Sequence, residues 1–148
     1  MKMKVLYTQK KEGKKDNPEL IGDVLSRAYK VKGDKVPPAY PCENEILVIL
    51  CFENYGKIDQ KLVKFCQDLS TSRASNVALV ILSKDGNADA GELTGIFQKN
   101  GVKVAGTCGI AVPKGLFGAK TVTDADTQKA KAFCDKMISQ LFDPSALN

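Results

Sequence analysis

The stretch Ile46-Leu47-Val48-Ile49-Leu50-Cys51-Phe52, followed by Glu53-Asn54-Tyr55-Gly56 and an amphipathic pattern from Ile58 to Leu69, decides how this chain folds. Seven consecutive apolar residues are too few to span a bilayer and too unbroken for a strand with one wet face. They suit a central strand of a parallel sheet covered by helices on both faces. In such sheets ligands bind where loops leave the carboxyl ends of the strands, at the point where the strand order reverses. The loop 53–56 is therefore the first place to look for function.

Working outward, the same pattern repeats. Lys4-Val5-Leu6-Tyr7-Thr8 reads as a first strand. Asn17-Pro18 then reads as an N-cap and first helical position, with Leu20, Ile21, Val24, Leu25 and Ala28 at helical spacing and Gly33 as the stop. Asp34-Lys35-Val36 reads as a minimal edge strand closed by Pro37-Pro38, which cannot serve a central ladder. After the central strand, Ile58, Leu62, Phe65, Cys66 and Leu69 line one helical face. Val77-Ala78-Leu79-Val80-Ile81-Leu82 is a second buried strand, and Ala90, Leu93, Ile96 and Phe97 give a short helix capped by Asn100-Gly101. A last strand lies within 102–112, with a glycine-containing tail through Gly118. Thr123-Asp124-Ala125-Asp126 resembles a capping box ahead of a final helix carrying Ala130, Phe133, Met137, Ile138 and Leu141.

Strands alternating with helices imply right-handed crossovers and an α/β three-layer sandwich. For 148 residues the expectation is a single domain spanning 1–148, with a five-stranded parallel sheet in the order 2-1-3-4-5.

Composition narrows the chemistry. Hydrophobic residues at 43% and charged residues at 26% belong to a soluble globular chain, and Met1-Lys2-Met3-Lys4 leads into a strand rather than a signal-peptide core. The expected location is the cytoplasm, away from membranes. There is no histidine, which removes histidine-based triads and histidine metal ligands. Five cysteines form no CxxC pair, and Cys51, Cys66 and Cys134 sit inside apolar patterns, which suits buried free thiols. The net charge of +5 is concentrated at the N-terminus, where residues 1–35 carry ten Lys/Arg against five Asp/Glu. No aromatic interleaves the lysines and no nucleic-acid motif follows, so nucleic acid is not the expected partner.

The loops after the first, third and fourth strands are expected to converge on one crevice. The first contains Thr8, Gln9, Lys10, Lys11, Glu12, Gly13, Lys14 and Lys15 and opens a helix whose free N–H groups can hold an anion. The second is Glu53-Asn54-Tyr55-Gly56, preceded by Phe52, and the third is Ser83-Lys84-Asp85-Gly86-Asn87.

In element order, and most clearly over 45–69 and 76–87, the chain resembles the flavodoxin-like family. That resemblance implies FMN, with its phosphate in the first loop and its isoalloxazine ring between the other two. Aligning Gly13 with the glycine of the family's hydroxyl-rich T/S-x-T-G-N-T loop places Lys10, Lys11, Glu12, Lys14 and Lys15 over the remaining positions. Only the glycine is kept, with Thr8 just upstream. Tyr55 resembles the aromatic that stacks on the flavin, with Gly56 allowing close backbone approach. Phe52 either lines the inner side or turns into the core.

The implied function is a small electron carrier, more than a stand-alone enzyme, acting as a monomer or weak homodimer with a redox partner protein. The alternative is a flavin-free module that docks through its basic N-terminal loop. Other users of such sheets are excluded by motif. A receiver domain needs acidic residues where Tyr7-Thr8 and Cys51-Phe52 stand. The loops GxxxxGK[ST] and GxGxxG are absent, and so is the base for a nucleophile elbow.

Overall fold

A computed structural model describes residues 1–143; the last five positions of the expected domain lie outside the described residues. The chain runs β1 (Met3–Tyr7), α1 (Asn17–Tyr29), β2 (Gly33–Lys35), β3 (Glu45–Glu53), α2 (Gln60–Gln67), β4 (Ala74–Ser83), α3 (Leu93–Asn100), β5 (Lys103–Ala111), β6 (Lys114–Gly115), β7 (Gly118–Ala119) and α4 (Asp124–Leu141). The main sheet has five parallel strands in the order β2-β1-β3-β4-β5, as expected. Helices α1 and α4 cover one face and α2 and α3 the other.

Strand parity divides the apolar runs between two cores. Val48, Leu50 and Phe52 of β3 join Val77, Leu79 and Ile81 of β4 beneath α2 and α3, against Leu62, Leu93 and Phe97. Leu47, Ile49 and Cys51 join Ala78, Val80 and Leu82 beneath α1 and α4, against Ile21, Leu25 and Ile138. A strand buried on both faces has no polar alternation to show, which is why both runs are continuous. All five cysteines are free and buried, and burial pushes the thiols of Cys66 and Cys134 up to about 12.

Several boundaries differ from the sequence reading. The N-cap of α1 is Asp16, one residue before Asn17, with proline inside the first turn. Asn17 is instead a clamp: its Nδ2 donates to the Lys120 carbonyl at 2.7 Å and its Oδ1 accepts from the Val122 N–H at 2.9 Å, fixing the lead into α4. Helix α1 ends at Lys30 in the left-handed conformation (φ 55°), ahead of Gly33. Gly33 opens β2, and a Cβ there would lie 3.1 Å from Ser26 of α1. Gly22 inside α1 also has a packing reason, since a Cβ would lie 2.7 Å from the Tyr7 ring on β1. Helix α2 is shorter than its apolar pattern: Asp59 caps it, and Ile58 and Leu69 fill the core from outside the helix. The capping box of Thr123 and Asp126 is formed.

The segment after β5 differs most. It is an antiparallel hairpin, β6 with β7, in which Lys114 pairs with Ala119 and Gly115 with Gly118. Leu116 and Phe117 form its tip and are 93% and 99% exposed. Among the described residues, no helix is long and apolar enough to cross a membrane.

Candidate functional site

The carboxyl ends of β1, β3 and β4 open onto one edge of the sandwich, where parallel pairing holds their last residues level. Tyr7 lies beside Cys51, Cys51 beside Val80, and Glu53 beside Leu82. The loops beyond these ends are held by their own polar groups. Asn54 donates from Nδ2 to the Asp89 carbonyl at 2.8 Å and accepts the Gly56 N–H at 3.0 Å, tying the second loop to the third. In the third loop, Ser83 Oγ donates to the Asn87 carbonyl at 3.0 Å and Asp85 accepts the Asn87 N–H at 3.0 Å. Gly86 has φ 83°, and Gly109 of β5 lets that turn lie against the strand, because a Cβ at 109 would lie 2.9 Å from the Gly86 carbonyl carbon.

Between these loops and the hairpin lies a crevice of about 510 Å³ lined by Asn54, Tyr55, Gly56, Ser83, Lys84, Asp85, Asn87, Asp89, Lys114 and Gly115. Its size is that of a small-molecule pocket. Tyr55 is its wall. Its hydroxyl donates to the Val112 carbonyl at 2.8 Å, and Lys114 Nζ stands 5.1 Å from the ring centroid. Burial, with the Glu53 charge second, pushes the Tyr55 phenol up to about 12. A second hollow of about 350 Å³ shares Tyr55 and Lys114 and continues to Thr8, Lys10 and Glu53 at the β1–β3 reversal of strand order. The two together span the carboxyl edge from β1 to β4.

The first loop is arranged around carboxylates. Lys10 Nζ pairs with Glu53 at 2.9 Å, Lys15 with Asp23 at 2.7 Å, and Glu12 with Lys35 at 3.4 Å. The Lys10 backbone N–H, the type of donor a phosphate would take, donates to Asp16 Oδ2 at 3.3 Å. Gln9 donates to the carboxylate of buried Glu19 in the first turn of α1 at 3.1 Å. Among the described residues, Asp16 Oδ1 is buried and receives no well-formed hydrogen bond. Among the described residues, no ion pair holds Lys11 or Lys14, and both side chains are exposed.

Burial raises the Asp16 carboxyl above its ordinary value, with Glu53 adding to the rise and the Lys10 and Glu19 N–H groups and the Lys10 charge opposing it. A folded-state pKa above the unfolded one means that the folded chain holds the proton longer. Stability from this group is then lost as pH rises from the unfolded value through the folded one, and the penalty stands at neutral pH. Asp16→Asn keeps an N-cap residue and is expected to raise the melting temperature at pH 7, with the gain fading as acid protonates the wild-type carboxyl. An unchanged melting temperature at pH 7 would mean that Asp16 is solvated.

The structure therefore brings Asn54, Tyr55, Gly56, Ser83, Lys84, Asp85 and Asn87 together around one crevice, with Gly86 shaping its floor. It places Thr8, Lys10 and Glu53 in the adjoining hollow. Phe52 is a correction to the candidate set: at 1% exposure it packs in the core under α2 and α3, because its strand parity is that of Val48 and Leu50. Cys108, which the sequence places near the end of the last strand, is buried beneath α4 with its thiol pushed up by burial. Sequence reasoning placed Gly115-Leu116-Phe117-Gly118 where it could close one side of the crevice, but missed Asp89, Lys114 and the hairpin form of that segment. The glycines at 115 and 118 were the available signal, but Leu-Phe is a poor two-residue hairpin loop.

No protein-family model matches the chain, and no curated protein does. Among solved structures, the chain is similar to a flavodoxin of Streptococcus pneumoniae TIGR4, at 11% identity over 93% of this chain and 98% of that one, with a TM-score of 0.63. Identity this low speaks for the fold alone. The fold is flavodoxin-like, an α/β sandwich on a five-stranded parallel sheet in the order 2-1-3-4-5.

Proposed function

We propose that this protein is a small flavin-binding electron-transfer protein, FMN being the flavin implied by its resemblance to the flavodoxin-like family. The observation that carries the reading is the Tyr55-walled crevice between the loops at 54–56 and 83–89. It lies at the carboxyl ends of β3 and β4 and runs on toward the reversal of strand order, where this architecture holds ligands. The residues present fit a flat ring. Tyr55 offers an aromatic face pinned by its hydroxyl, Gly56 (φ 107°) has nothing within 4 Å of where a Cβ would be, and the Asn54–Asp89 bond fixes the width between the loops. The residues at the first loop do not fit the phosphate, since carboxylates take the places its oxygens would.

A bound flavin supplies one- and two-electron redox chemistry; the protein supplies position and electrostatics. Lys114 above Tyr55 favours a ring that gains negative charge on reduction, while Glu53, partly offset by Lys10, opposes it. The hairpin forms the outer rim of the crevice, so a redox partner approaching the ring edge would meet Leu116 and Phe117 first.

An absorbance spectrum and a flavin titration of the purified protein test the proposal. Saturable binding near micromolar, about −8 kcal/mol, is expected; a folded, monodisperse protein without any flavin signal would sink it. Tyr55→Ala is expected to weaken flavin binding by about 1–3 kcal/mol through lost stacking. Tyr55→Phe, which keeps the ring and removes the bond to Val112, is expected to lose less. Equal affinity in wild type and Tyr55→Ala would remove Tyr55 from the site.

The exposed hairpin tip favours a second reading, a flavin-free docking module. Its apolar pair lies between Lys114 and Lys120, which makes the tip a more specific docking element than the N-terminal lysines, two of which are held in ion pairs.

A further inference from the structure

We propose, resting on the flavin reading above, that the site recognises the ring and ribityl chain of a flavin and not its 5′-phosphate, so that riboflavin and FMN bind alike. Four observations at the first loop carry this. The Lys10 backbone N–H is already taken by the Asp16 carboxylate at 3.3 Å. The side chain of Lys10 is turned onto Glu53 at 2.9 Å, between the loop and the ring crevice. The first turn of α1, where the helix dipole favours an anion, holds the protein's own buried Glu19 carboxylate, engaged by Gln9. Asp16 Oδ1 is a buried acceptor that receives no well-formed hydrogen bond among the described residues, the Glu19 N–H acting on the carboxylate only from a distance. A phosphate dianion is also an acceptor and would add only repulsion beside it.

Desolvation decides against the obvious objection, the lysine count. Lys11 and Lys14 have no ion-pair partner among the described residues, but they stand in water. Exposed charges act on a phosphate through a high dielectric and a salt atmosphere, so they attract weakly and without geometry. Meanwhile the carboxylates of Asp16, Glu19 and Glu53 are partly or largely out of water along this loop, whereas Glu12, 87% exposed, counts for no more than Lys11 and Lys14. Gly13 adds no cradle, since a Cβ there would meet nothing within 4 Å; its φ of 82° explains the glycine by the turn alone.

Titration of the full chain with riboflavin and with FMN, followed by quenching of flavin fluorescence, tests this. The expected result is a pair of Kd values within about tenfold of each other, with the FMN value little changed by salt. An FMN affinity more than about tenfold above that of riboflavin overturns the inference and leaves the flavin reading standing. Binding of neither sinks the flavin reading and this inference with it. Asp16→Asn removes the carboxylate charge facing the Lys10 N–H, so it is expected to shift the FMN-to-riboflavin ratio toward FMN with riboflavin affinity kept. An unchanged ratio, in a variant whose fold and riboflavin binding are intact, would overturn the role given to Asp16.

Discussion

Replacing Phe52 with alanine is expected to remove about 3–5 kcal/mol of folding stability. Phe52 is among the largest fully buried side chains, and it packs in one layer with Leu50, Leu79 and Ile81 beneath α2 and α3. Truncation there removes apolar burial and leaves a void that rigid strands on both sides of β3 cannot close. Urea denaturation measures the loss as a lower midpoint at unchanged slope. The experiment also discriminates between the two places open to Phe52 from sequence. A ligand-lining residue would lose flavin affinity at near wild-type stability, and that pattern would contradict its assignment to the core.

The second large effect is expected at Gly109. An alanine Cβ there would lie 2.9 Å from the Gly86 carbonyl carbon and 3.0 Å from the Ala88 nitrogen, and it would press closest on the Gly86 oxygen. All of these are backbone atoms, so no side chain can rotate away. Either β5 or the third loop must move. A cost of about 1–3 kcal/mol or more is expected, together with weaker flavin binding, because 83–87 forms the floor and one wall of the crevice. Gly106 in the same strand is the control. Its Cβ would meet the Met137 sulfur at 2.8 Å and the Phe133 ring at 3.0 Å, which are side chains able to shift. Gly109→Ala is expected to exceed Gly106→Ala in both stability loss and loss of flavin; the reverse order would mean that the third loop is loose enough to yield.

These residues also show what could be read in advance. The fold was legible because β3 and β4 are buried on both faces, and a helix-covered parallel sheet leaves few alternatives for unbroken runs such as 46–52 and 77–82. Helix ends were less legible. Ile58 and Leu69 match the apolar spacing of α2 because they face the same core, yet Asp59 and Asp68 bound the helix. Lys30 ends α1 in a conformation usually left to glycine, while Gly33 serves the close approach of β2 to Ser26.

At the candidate site, loop positions followed from strand ends, so the placement of Tyr55 and the 83–87 turn beside one crevice was legible. The electrostatics of the first loop were not legible. A run of lysines in sequence reads as free charge, whereas Lys10 meets Glu53 and Lys15 meets Asp23 only once the loop is draped over β3 and α1. The hairpin was missed for a related reason. Its tip buries nothing, so hydrophobic periodicity carries no trace of it.

The five buried thiols have a practical consequence. Thiolate, not thiol, reacts with alkylating reagents, and burial raises the pKa of every one of these cysteines. The native protein should therefore be silent toward an alkylating reagent, and each modification would record a moment when that part of the sandwich opened. Cys51, sealed at the centre of the sheet, would report global unfolding, and Cys108, at 7% exposure, and Cys42, on the wall of a surface hollow, would report local breathing. The chain carries its own internal set of clocks. A single cysteine placed at 117 on the hairpin tip would, against that silent background, be the one fast-labelling site, offering a handle for following whatever docks there.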